Sequence, residues 1–97
     1  MFENFDFGKD IISSYIDFDI DEKYSLITQI DSLKEDLIQI QYSNDFIIDV
    51  GWYPEFSPSG CFKVFLLQSG KKVSCKRCKS IKSLKKCLET FVDYIHR

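Results

Sequence analysis

Apolar positions along the chain follow two different periods, and the change between them falls near residue 45. Ile11, Ile12, Tyr15 and Ile16 fit one face of a short helix after Gly8. Asp17-Phe18-Asp19-Ile20-Asp21 breaks that pattern, and Asp19 can cap a second helix with Glu22 three residues on. Leu26, Ile30, Leu33, Leu37 and Ile40 then recur at steps of 4, 3, 4 and 3, a single stripe down a long helix. A helix ending near Lys34, followed by a strand through Ile38, Ile40 and Tyr42, fits the same residues. The long helix is preferred because no Gly or Pro interrupts residues 31–36.

Beyond Ser43-Asn44-Asp45 the period becomes two. Phe46, Ile48, Val50 and Trp52 alternate with Ile47, Asp49, Gly51 and Tyr53, which predicts a strand. A loop containing Pro54, Pro58, Ser59 and Gly60 leads to a second strand over Cys61–Gln68, and Ser69-Gly70-Lys71 turns it into a third over Lys72–Cys78. Short loops make the pairing antiparallel. Ser80 or Ser83 can cap a last helix that carries Ile81, Leu84, Leu88, Phe91, Val92 and Ile95 on one side. The expected fold is α+β, a three-stranded antiparallel meander packed with helices in the order α-α-β-β-β-α. At 97 residues it is a single domain, helical and acidic over 1–44, a meander over 45–79 and a C-terminal helix over 80–97.

Charge adds what the periods do not show. Residues 1–57 hold 13 acidic side chains against Lys9, Lys23 and Lys34, a net of −10; residues 58–97 hold 10 basic side chains against Glu89 and Asp93, a net of +8. The overall −2 conceals two opposite fields, which speak to partners rather than to fold. Hydrophobic content of 44% and aromatic content of 15% exclude a disordered chain. The acidic start lacks a basic n-region, and the longest strongly apolar run, Val64 to Leu67, is far below the ~20 residues that span a bilayer. The expectation is a cytoplasmic protein whose four cysteines are free thiols.

Few residues carry recognisable chemistry. Cys75-Lys76-Arg77-Cys78 has the spacing of half a zinc site, but Cys61, Cys87 and His96 stand singly, so no metal and no cofactor are expected. His96 is the only histidine, and no phosphate cradle or nucleophile with a positioned base is visible, which points away from an enzyme. Lys71, Lys72, Lys76, Arg77, Lys79, Lys82, Lys85 and Lys86 crowd the third strand and the last helix start. They fit either a nucleic-acid contact or a counterweight to the chain's own acids. The acidic half fits capture of a basic protein by electrostatic steering. Candidate partner-binding residues are Asp17, Asp19, Asp21 and Glu22, with Asp49, Trp52, Tyr53 and Glu55, where aromatics lie among acids.

Asp49-Val50-Gly51-Trp52-Tyr53-Pro54-Glu55, the Pro/Ser/Gly turn, the strand from Cys61 to Leu67 and the amphipathic last helix resemble a family of small bacterial proteins encoded beside polymorphic toxins. These include the immunity proteins of contact-dependent growth inhibition systems. The resemblance covers about residues 45–97; Gly70 to Cys75 departs from it, where the family has an aromatic and a proline after the second strand. It implies a non-catalytic cytosolic inhibitor whose partner is a cognate toxin, often a nuclease domain. The alternative is a small nucleic-acid-associated protein using the Lys71–Lys86 patch.

Overall fold

The computed structural model describes residues 2–97. Five strands, β1 (Ile11–Ile16), β2 (Ile38–Tyr42), β3 (Phe46–Tyr53), β4 (Cys61–Gln68) and β5 (Lys71–Cys78), form one antiparallel sheet in chain order. The helix α1 (Ile81–Ile95) follows and covers one face of it. The expected α-α-β-β-β-α order and three-stranded meander are therefore overturned, as is the helical reading of residues 1–44. The alternation in residues 46–78 placed β3 and β4 at their true bounds, and α1 is capped by Ser80, whose Oγ accepts from the Ser83 N–H at 3.1 Å.

The two expected N-terminal helices fail for different reasons. Ile11-Ile12-Ser13-Ser14-Tyr15-Ile16 is β-branched, aromatic and Ser-rich, a composition that suits a strand better than a helix. All six residues are exposed, so β1 has no inside-outside alternation to betray it. The stripe from Leu26 to Ile40 does reach the core, with Leu33, Leu37 and Ile40 fully buried and Leu26 and Ile30 packed against them. It gets there by a changing backbone: a 3-10 helix over Leu26–Ser32 with a kink at Gln29, an extended stretch, then β2. Ile27, Thr28, Ile30 and Ser32 are mediocre helix formers, and Ile38, Ile40 and Tyr42 gain more by alternating in a strand. Asp19 caps nothing; the 3-10 helix starts after Ser25 without a side-chain cap.

The core lies between the sheet and α1. Ile38, Ile40 and Tyr42 of β2, Phe46, Ile48, Val50 and Trp52 of β3, and Phe62, Val64 and Leu66 of β4 point into it. Ile81, Leu84, Leu88, Phe91 and Ile95 meet them from α1. Phe2, Phe7 and Phe18 close one end, with Phe2 and Phe18 edge to face at 4.5 Å. The Tyr42 hydroxyl donates to the Phe7 carbonyl at 2.6 Å, which satisfies the one polar atom that Tyr42 carries inside. Burial, with the nearby Asp6 charge, pushes that hydroxyl up to about 12.

Candidate functional site

Each strand that sends its even residues to the core sends its odd residues to the face that α1 leaves uncovered. Register sets the neighbours there. Gln39 stands beside Asp49, Asp49 beside Phe65 and Phe65 beside Cys75; Ile47 stands beside Leu67 and Lys63 beside Arg77. Ile47, Asp49, Tyr53, Lys63, Phe65 and Leu67 are all half-buried and neighbour one another across the strands.

A bulge brings further acids to it. The Trp52 N–H donates to the Lys34 carbonyl at 2.7 Å, and the Leu37 N–H donates to the Val50 carbonyl at 3.0 Å. Between those bonds one side has only Gly51 and the other has Glu35 and Asp36, the two-against-one count of a bulge. Gly51 is required there, because a Cβ would collide with the Glu35 carbonyl. Asp36 thereby joins Asp49, Gln39, Ile38 and Tyr15 around a recess of about 270 Å³. The Glu55 carboxylate accepts from the Glu35 N–H at 3.3 Å, which draws Glu55 to the same rim.

Asp49 is the electrostatically perturbed member of this group. Burial first, and the charge of Asp36 second, lift the Asp49 carboxyl above its ordinary range. Burial raises the Tyr53 hydroxyl, and Asp49, Glu35 and Asp36 add to the effect. No cation lies within ion-pair distance of Glu35, Asp36, Asp49 or Glu55 among the described residues. On the far side of Tyr53 the sign reverses. The Lys63 ammonium lies 5.4 Å from the Tyr53 ring centre and the Lys72 ammonium 5.2 Å from that of Phe65. The open face thus runs from an acidic flank, through an aromatic and aliphatic seam, to a basic flank.

The other candidate residues go elsewhere. Trp52 is 4% exposed, its indole N–H donates to the Ser57 carbonyl at 2.9 Å, and its ring meets Phe62 edge to face at 5.0 Å. It is a core residue and cannot serve as a contact anchor. Asp17 pairs with Lys34 at 2.7 Å; the Lys34 hydrogen bond, then its charge, hold the Asp17 carboxyl below its ordinary range. Asp19, Asp21 and Glu22 line a second recess with Lys23 and Lys85. There the Asp21 carboxylate accepts from the Lys23 N–H at 2.9 Å, and Glu22 reaches Lys85 at 3.4 Å. The eight candidates therefore divide: Asp49, Tyr53 and Glu55 converge, while Asp19, Asp21 and Glu22 form a separate, partly neutralised group. Phe65, Leu67 and Ile47 were missed as contact residues, although the odd-numbered alternation of β3 and β4 marks them.

The basic residues balance the acidic half at one point only among the described residues, the Lys85–Glu22 pair. The cysteines are free; burial first, with the neighbouring Cys78 second, pushes the Cys87 thiol up to about 12. No three His, Cys, Asp or Glu side chains gather into a metal-binding group among the described residues. No helix among them is long and apolar enough to cross a membrane.

The chain matches no family model, no curated protein and no solved structure. Its functional reading rests on the residues themselves.

Proposed function

We propose that the chain is a non-catalytic, cytoplasmic immunity-type protein that binds a cognate bacterial toxin domain, a basic nuclease, and masks its active site or substrate groove. One observation carries this reading: Glu35, Asp36, Asp49 and Glu55 lie on the rim beside half-buried Tyr53, with no cation within ion-pair distance of them among the described residues. Carboxylates set beside an aromatic imitate the phosphate-and-base pattern that a nuclease groove accepts. Lys and Arg that hold phosphate in the toxin would meet these carboxylates, and Tyr53 and Phe65 would supply the desolvated contacts that hold the complex once formed. Asp19, Asp21 and Glu22 would contribute to steering from a distance rather than to contact. The resemblance of residues 45–97 to immunity proteins is consistent with this reading.

The test is co-expression with the toxin domain encoded beside the gene, scored as protection from growth arrest, and direct titration of the two purified proteins. Protection lost on Asp36→Lys with Asp49→Lys, in a chain that still folds, is the expected result. Absence of both protection and binding for the unaltered chain would overturn the reading.

A second reading is favoured by the placement of Lys63 on Tyr53 and Lys72 on Phe65 with Arg77 alongside. In sequence these bases and aromatics are apart; across the sheet they interleave, as on a single-strand-binding surface. Binding of a fluorescent oligonucleotide with a steep salt dependence would support it, and no binding at low salt would remove it.

A further inference from the structure

The sheet ends in two free edges, and they are treated in opposite ways. β5 carries Lys71, Lys72, Lys76 and Arg77, the charged guard that keeps an edge from pairing with another chain. β1 carries no charge and no proline, and every residue in it is exposed, Ile12 to 67% and Tyr15 to 51%. An open, uncharged, β-favouring edge is what natural sheets avoid unless something pairs with it.

We infer that β1 is the association edge for a second copy of this chain. The backbone fixes which groups are available. The Asp17 N–H donates to the Leu37 carbonyl at 2.8 Å and the Ser43 N–H donates to the Asp10 carbonyl at 2.8 Å. Tyr15 pairs with Gln39 and Ser13 with Gln41 in the same register as the Asp17 bond, so Ser13 and Tyr15 turn their N–H and C=O groups toward β2; the Asp10 bond lies beyond the irregularity between Ile11 and Ser13 and belongs to a register shifted by one. By alternation, Ser14 and Ile16 turn theirs outward.

A two-fold axis normal to the sheet through Tyr15 satisfies all of these outward groups. Ser14 of each copy then exchanges both backbone bonds with Ile16 of the other, and the two Tyr15 rings become a cross-strand pair. Asp17 falls opposite Ser13, so no carboxylate opposes a carboxylate. On the guarded β5 edge, self-pairing would bring Lys71, Lys72, Lys76 and Arg77 of both copies onto one shared seam. The dimer has a ten-stranded sheet with both α1 helices on one side and both acidic open faces on the other. Only a few residues pair, and the irregularity between Ile11 and Ser13 limits the ladder further. The association therefore belongs to the weak class.

Sedimentation velocity on the whole chain from about 10 to about 500 µM, the range suited to weak interfaces below roughly 1,200 Å², tests this. A monomer–dimer equilibrium is expected, and Ile16→Lys or Ser14→Pro weakens it at least about tenfold with the circular dichroism spectrum unchanged. Val73→Lys on β5 leaves it unchanged. Amide exchange gives a second readout: the Ser14 and Ile16 amides become slower at high concentration, and that of Val73 does not. A monomer throughout the range overturns the inference. So does a dimer that survives both β1 variants, or one abolished instead by Phe65→Ala on the open face. A monomer whose Ile16→Lys variant loses the toxin domain would show that the edge takes a foreign strand, which also overturns it.

Discussion

The two faces of the sheet are built by the same strands and differ in almost every other respect. On the α1 side, Ile48, Val50, Val64 and Leu66 are essentially inaccessible and carry no polar atom beyond the backbone. On the open side, Ile47, Asp49, Phe65 and Leu67 are their immediate chain neighbours, yet each remains partly exposed, and the Lys72 ammonium lies over the Phe65 ring. One residue of displacement along β3 separates Trp52, sealed in the core, from Tyr53, set among carboxylates. Core packing and the open, charged face are thus assigned to opposite parities of the same strands, and substitutions on one side should leave the other largely intact.

The largest effect expected from that separation is in the core. Leu88→Ala, at a fully buried site on α1, should cost about 2–5 kcal/mol in urea unfolding, whereas Leu67→Ala on the open face should cost less than about 1 kcal/mol. Comparable losses would mean that the open face is packed like a core. Gly51→Ala comes next, at about 1–3 kcal/mol, because the added methyl must displace the Glu35 carbonyl from the bulge. That single change also disturbs the acidic rim, so it is the one place where the two faces are expected to couple.

Asp36→Lys should leave unfolding unchanged while slowing association with a basic toxin domain about tenfold at low salt; stopped-flow rates at two ionic strengths would measure it. Tyr42→Phe leaves the Phe7 carbonyl without its donor, a loss of about 1 kcal/mol with no effect on binding.

The smallest effect is a pH dependence with opposite signs at two aspartates. The folded Asp49 carboxyl lies above its ordinary value of 3.8, so the stability tied to its proton is present below that value and fades as pH rises through the folded one. Asp49→Asn should therefore flatten that decline. Asp17 lies below 3.8, so its contribution is present above that value and disappears as pH falls through the folded one. Unfolding curves between pH 2 and pH 7 for Asp49→Asn and Asp17→Asn would separate the two, and a common sign would contradict the placement of one of them.

What the sequence revealed depended on burial contrast. β3, β4 and α1 each have one wet and one dry side, and their alternation or stripe located them within a residue or so. β1 is wet on both sides, which leaves propensity as the only signal, and a four-residue apolar pattern is compatible with either period. Leu26 to Ile40 mimicked a helix because three different backbone forms happened to space core contacts at helical intervals. The acidic rim was half-legible: Asp49, Tyr53 and Glu55 stand within one short segment. Asp36 joins them only through hydrogen bonds made by Trp52 and Val50 across the sheet, which no local pattern encodes. Trp52 itself shares parity with Phe46, Ile48 and Val50, and that alignment was the available sign that it belongs inside.

Strand order that repeats chain order has a kinetic consequence. Each new strand of the β2–β5 run docks on the one just before it, through turns of only a few residues, so little loop-closure entropy opposes any single step. The 21 residues from Asp17 to Leu37 form the one long closure, and they must order before β1 can dock on β2. The β4–β5 hairpin, closed by the shortest turn and followed directly by α1, is therefore the natural starting point, and β1 is the strand expected to arrive last and to leave first.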